Sequence, residues 1–117
     1  MMPESVVQKQ VEAYNRHDLG AFSATYADDV AIYRFPSMKL VLQGRAALER
    51  HYGDNRFNLP QLRAEILDRI CHGDTVIDYE RVFGLVQGET VEAVAIYEVQ
   101  KGLISRVWFI DDKRLST

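Results

Sequence analysis

One cysteine, Cys71, is all that the 117 residues contain, which excludes an intrachain disulfide framework and fits a reducing compartment. No apolar run approaches the roughly 18 residues that a membrane-crossing helix requires. The opening Met-Met-Pro-Glu-Ser has no basic stretch leading into an apolar one, so no signal peptide is read there. The expected location is therefore cytoplasmic. Positive charge is also short: the formal net charge is -3, with no cluster of arginines and aromatics. Neither nucleic acid nor an anionic membrane is an expected partner. His, Cys, Asp and Glu nowhere take metal-ligand spacing, and no glycine-rich phosphate loop occurs. No metal and no organic cofactor are expected. With three prolines, seven glycines and no repeat or low-complexity segment, residues 1–117 read as one domain.

What is present is 47% hydrophobic and patterned. Four apolar stretches, Leu62–Ile70, Thr75–Val86, Glu89–Val99 and Leu103–Ile110, are separated by His72-Gly73-Asp74, Gln87-Gly88 and Lys101-Gly102. Glycine takes the positive φ that tight hairpins demand, so these stretches predict an antiparallel meander. Helices come first. Ser5, with Gln8 three residues on, offers a capping box, and Val7, Val11 and Tyr14 recur at helical spacing beside Val6 and Gln10. Asp18 can cap a second helix through Tyr26, with Leu19, Phe22 and Tyr26 on its apolar face. Ala27-Asp28-Asp29 reads as a turn, Val30–Phe35 as a strand stopped by Pro36, and Lys39–Leu42 as a short extended piece. Gly44-Arg45 opens a third helix to about Asp54. Helices placed ahead of a meander make an α+β domain whose sheet is covered on one face.

Glu89–Val99 alternates, with Val91, Ala93, Ala95 and Tyr97 on one face and Glu92, Val94, Ile96 and Glu98 on the other. Both faces carry apolar residues. A second copy of the chain is the expected cover for the face away from the helices, giving a homodimer through the outer sheet face.

The segment Tyr14-Asn15-Arg16-His17-Asp18-Leu19, followed by Phe22 and Tyr26-Ala27-Asp28-Asp29-Val30-Ala31, resembles the opening of the nuclear transport factor 2-like superfamily. The resemblance is to its SnoaL-like and ketosteroid-isomerase-like branch. Gly44-Arg45 and Gly102-Leu103-Ile104 fit it too. It implies a cone-shaped domain, in which a curved antiparallel sheet packs on N-terminal helices around a pocket, and frequent dimerisation. Carried over by position, the isomerase base falls on Arg34, the helical oxyanion tyrosine near Gln10, and the protonated late-strand aspartate near Val91. Tyr14 lies one turn after Gln10. An arginine stays protonated and cannot act as the base, so steroid isomerisation by the family mechanism is not expected.

The same positional comparison turns Ile77, Tyr79, Arg81 and Phe83 inward, along with Ile104, Arg106, Trp108, Ile110 and Arg34. Inward arginines need an acidic answer, because an unpaired buried charge costs several kcal/mol. Tyr14, Tyr33, Arg34, Tyr79, Arg81, Arg106 and Trp108 are thus the candidate ligand-binding residues, with Tyr52 able to reach the pocket mouth. Two alternatives stand beside this. Arg81 can pair on the surface with Glu92 or Glu98, and a bulge in the last strand would point Val107, Phe109 and Asp111 inward and leave Arg106 in solvent. Asp111 is then the best candidate general base, and His51 is a second candidate acid or base. The expected function is binding of a small apolar or weakly acidic organic molecule. The alternative is a cofactor-free isomerase, cyclase or dehydratase acting by proton transfer.

Overall fold

The computed structural model describes residues 2–111. In chain order the elements are α1 (Pro3–Asn15), α2 (Leu19–Ser23), β1 (Tyr26–Arg34), β2 (Leu40–Gln43), α3 (Arg45–Asn55), β3 (Arg63–His72), β4 (Thr75–Val86), β5 (Glu89–Gln100) and β6 (Leu103–Asp111). The six strands form one sheet in the order β2-β1-β6-β5-β4-β3. Every junction is antiparallel except β1 with β6, which is parallel. The sheet is curved and unclosed, and α1 packs across its inner face against β3 to β6.

Helix α1 begins at Pro3 rather than at Ser5, with Met2 as a cap that supplies no side-chain bond. Proline suits this first position because its missing N–H would have had no partner there. Val7 and Val11 are buried against the sheet as their spacing predicts. Helix α2 is capped by Asp18, whose Oδ1 accepts from the Ala21 N–H at 3.0 Å. It stops at Ser23, three residues short of the predicted end. Tyr26 instead opens β1 and pairs with Ile104, and Ala27-Asp28-Asp29 continues that strand instead of turning. Leu19, Phe22 and Tyr26 share a helical spacing, yet Tyr26 reaches the same core from an extended chain, its ring 5.1 Å from that of Phe22.

Bulges in β3 and β6 set which way those strands face. In β3 the register slips at Leu67, so Ala64 and Ile66 before it share the inner face with Arg69 after it. In β6 it slips at Ser105, which puts Val107 and Phe109 inward and Arg106 and Trp108 outward. In β4 it slips between Phe83 and Val86, where Gly84 has φ +76°. There β4 is crossed closely by the chain entering β3. The inner face is then Val76, Asp78, Glu80 and Val82 from β4, and Val91, Ala93, Ala95, Tyr97 and Val99 from β5. Strand β5 keeps the two faces read from its alternation.

Candidate functional site

Under α1 the inner sheet face leaves a cavity of about 60 Å³. Its walls are apolar where Val11, Val82, Ala93 and Phe109 meet, and polar where Gln10, Tyr14, Tyr52, Arg56, Glu80 and Tyr97 approach. Helical spacing delivers Gln10 and Tyr14 from successive turns of α1. The Tyr14 ring is fixed edge-on against Tyr52 at 6.4 Å and Phe57 at 5.5 Å. Glu80 comes from β4, paired with Ala93 on one side and Ile66 on the other.

Glu80 is the dominant group. Burial, followed by the negative charge of Asp78, pushes its carboxyl up to about 8. Desolvation penalises the ionised carboxylate, and a like charge adds to that penalty. Asp78 itself is fully buried, and its two oxygens accept from Arg69 Nε at 2.6 Å and Nη2 at 2.9 Å. Arg69 Nη1 donates to Gln8 Oε1 at 2.9 Å, which ties the pair to α1. The bulge at Leu67 is what brings Arg69 to this face.

The surrounding phenols remain donors. Burial raises Tyr14, Tyr26 and Tyr97 above the usual tyrosine range, with Tyr52 adding to the effect on Tyr14 and Glu80 to that on Tyr97. Gln10 Oε1 is buried without a hydrogen-bond partner among the described residues. A carboxyl that changes charge near neutrality, set among neutral O–H groups, can exchange a proton with a bound molecule and stabilise oxygen charge that develops on it.

Of the residues selected from sequence, Tyr14 lines the cavity and so does Tyr52. Arg34 shares the inner face of β1 with Ile32, beside Phe109, without being part of the cavity wall. The inward direction expected for Tyr79, Arg81, Arg106 and Trp108 is corrected: all four lie on the outer face. Arg81 Nη2 is 3.2 Å from Glu92 Oε2, and the Tyr79 hydroxyl donates to Glu92 Oε1 at 2.5 Å. Arg106 meets both oxygens of Glu98, at 2.7 and 2.9 Å. These charges are answered by cross-strand acids in solvent, so none of them calls for an acidic ligand. Trp108 stacks on Tyr33, centroids 5.7 Å apart and planes 18° apart, on the same outer face. His51 lies on α3 outside the cavity wall, its ring 5.3 Å from Tyr52, and burial lowers its pKa. Asp111 ends β6 opposite Ala93, but its side chain lies outside the described residues.

Glu80, Gln10, Tyr97 and Arg56 were not selected from the sequence. The signal for Glu80 was available. Pairing across the Gln87-Gly88 turn sets even-numbered residues of β4 opposite odd-numbered residues of β5. The legible inner face of β5 therefore fixes Asp78 and Glu80 as inward.

The sequence matches the SnoaL-like domain over residues 7–107. No curated protein matches it significantly. Among solved structures, an uncharacterised cystatin-fold protein from Novosphingobium aromaticivorans superposes with TM-score 0.84 at 25% identity, covering 94% of this chain and 98% of that one. A proposed polyketide cyclase from Sinorhizobium meliloti gives 0.77 at 23% identity, covering 91% and 94%. A proposed ketosteroid isomerase from Kribbella flavida gives 0.80 at 19% identity, covering 98% and 81%. The last two likenesses speak for the fold alone. With that fold and a match spanning most of its length, the chain belongs to the SnoaL-like family, within the nuclear transport factor 2-like fold.

Proposed function

We propose that the chain is a cofactor-free proton-transfer enzyme acting on a small carbonyl compound, with Glu80 as the acid and base. The observation that carries this is the placement of Glu80, a carboxyl raised to about 8, in the wall of a cavity that also holds Tyr14 and Tyr97. In its ionised form Glu80 takes a proton from the carbon next to the carbonyl. The C–H electron pair becomes a C=C bond, and the carbonyl π pair moves onto oxygen. Tyr14, or Tyr97 beside it, donates its O–H to that enolate oxygen. The Glu80 carboxyl then returns the proton to the same carbon in simple exchange, or, where the substrate carries a C=C bond next to the acidic carbon, to the far end of the resulting dienolate as the oxygen pair re-forms the C=O, completing an isomerisation. A base whose pKa lies near the operating pH suits both halves of this cycle.

The test is exchange of α-hydrogens of small ketones in deuterium oxide, followed by NMR. The rate should rise with pH and level off above about 8, following the ionised fraction of Glu80. Glu80→Gln should abolish the catalysed exchange, and Tyr14→Phe should lower it about 10²-fold, the scale of losing one oxyanion donor. Exchange that survives Glu80→Gln would dispose of this mechanism. Binding without exchange in the parent chain would favour a ligand-holding role instead.

The outer sheet face supports association with a second copy. Ile70, Ile77, Ile96, Trp108 and Tyr33 follow one another across five neighbouring strands, forming an apolar row. Charged pairs flank it, Arg106 with Glu98 and Arg81 with Glu92. Lysine at both Val94 and Ile96 should give a monomer in sedimentation at micromolar concentration, against a dimer for the parent. A monomeric parent would end the proposal.

A further inference from the structure

Resting on the proton-transfer reading, we infer that Asp78 and Arg69 are positioning residues for that reaction. The fixed negative charge of Asp78 gives Glu80 the base strength to take a proton from carbon. Neither Asp78 nor Arg69 lines the cavity, so both act through Glu80. Asp78 and Glu80 project to the same inner face of β4, two residues apart, which sets them about 7 Å from each other. Asp78 is fully buried, and Arg69 holds both of its oxygens, at 2.6 and 2.9 Å. Arg69 in turn donates to Gln8 Oε1 at 2.9 Å, so the pair is fixed from α1 as well as from β3.

Stability alone gives little reason for this pair. Replacing a buried ion pair by hydrocarbon of similar volume is often neutral or stabilising. Here β3 is also interrupted by the bulge at Leu67, which brings Arg69 to the inner face. What the pair supplies, and hydrocarbon would not, is a negative charge beside a carboxyl in the cavity wall. A like charge opposes ionisation of its neighbour, so ionised Glu80 binds a proton more strongly. A stronger base abstracts a carbon-bound proton faster. The guanidinium is needed for this, because an unpaired carboxylate at that depth would take up a proton and lose its charge. The other charged and titratable groups around the two carboxyls are Glu4 and Tyr14 from α1, Tyr26 from β1, Tyr52 and Arg56 from α3, Cys71 from β3 and Tyr97 from β5. Burial keeps Tyr14, Tyr26 and Tyr97 neutral, and the arginines stay charged. Glu4 and Cys71 are exposed, so water screens them. From β6 the cavity receives the apolar Phe109. Asp78 is thus the fixed negative charge among the described neighbours of Glu80.

The test is an NMR titration of the Glu80 carboxyl carbon in the full chain labelled with ¹³C-glutamate, the signal being assigned by its loss in Glu80→Gln. The same α-hydrogen exchange of small ketones gives the rate. Asp78→Asn keeps the shape and still offers Arg69 an acceptor, but removes the charge. Its Glu80 midpoint should fall by about one pH unit, the scale of a like charge about 7 Å away at an effective dielectric constant of about 40. The exchange profile should move down in pH with it and level off at a lower rate, because Glu80 is then a weaker base. Arg69→Met combined with Asp78→Leu should shift both in the same direction, and it serves if the single variant fails to fold. A merely structural role would lower the melting temperature and leave the midpoint in place. That result in a folded variant overturns the inference. A parent Glu80 that titrates in the ordinary glutamate range overturns it without any variant. If exchange requires Glu80 but the midpoint does not respond to Asp78, proton transfer stands and the part given to Asp78 falls. If the midpoint falls as stated yet the parent exchanges no faster than Glu80→Gln, the charge coupling stands and the catalytic reading falls.

Discussion

Alanine at Gly84 is expected to destabilise the fold by at least about 3 kcal/mol, lowering the melting temperature by at least about 10 °C. Two independent costs act at this position. The backbone sits at φ +76°, in the left-handed region that an alanine adopts only with strain. A Cβ built there would also lie 2.2 Å from the Gln61 carbonyl oxygen and 2.7 Å from the Leu62 amide nitrogen. Those are backbone atoms, so relief requires the start of β3 to move away from β4. That movement would uncover Leu62, Val82, Val91 and Ala93, which pack as a cluster at this end of the sheet. Thermal unfolding followed by circular dichroism checks the claim, with Gly88→Ala as the comparison. Gly88 also has positive φ, but nothing lies within 4 Å of its missing Cβ. If the two variants lost equal stability, close approach at Gly84 would not be the cause.

Glutamine at Glu80 is expected to stabilise the protein at pH 9 and to leave it nearly unchanged at pH 5. In the folded chain the carboxyl titrates near 8, against an ordinary value of 4.5. Between those values the folded state holds a proton that the unfolded state has released. Unfolding free energy therefore falls as pH rises through this window, and the loss is complete above about 8. At about 1.4 kcal/mol per pKa unit the full shift sets an upper bound near 5 kcal/mol, and water reaching a cavity carboxyl reduces it to about 2–3 kcal/mol. Glutamine is neutral throughout, so Glu80→Gln should remove this part of the pH dependence. Urea unfolding of both chains at pH 5 and pH 9 measures it. Other titrating groups are common to the two chains and cancel in the difference, so parallel pH dependences would show that Glu80 ionises like an exposed glutamate.

The strand boundaries were legible because glycine and its neighbours mark each hairpin. Thr75–Val86 is predicted and found as β4, and β5 and β6 each run one residue beyond their predicted ends. The end of α2 was not legible, because Phe22 and Tyr26 satisfy a helical period and also bury well as a helix end and a strand start. Side-chain direction was harder still. Asp78 and Glu80 have the composition of a solvated face; pairing with β5 turns them inside, and the bulge at Leu67 brings Arg69 over to meet Asp78. The outward set contains Ile77, Phe83, Trp108 and Ile110, which read as core on hydrophobicity alone. At the site itself, Tyr14 was visible from helical periodicity. Gln10 was noted as a neighbour of the apolar stripe and as the position near which the family's helical oxyanion tyrosine falls, but not as part of a cavity wall.

The parallel pairing of β1 with β6 also has a consequence in time. Strand β1 joins the rest of the sheet only through β6, with Ile32 beside Val107. The β3 to β6 meander closes through short turns, whereas β1 and β2 pair only with each other until β6 arrives, and such long-range pairing slows folding. During synthesis, Tyr26, Val30 and Ile32 leave the ribosome well before the surface that buries them exists. Replacements that weaken β6 should therefore lower the yield of folded protein by prolonging the exposure of the N-terminal half to aggregation.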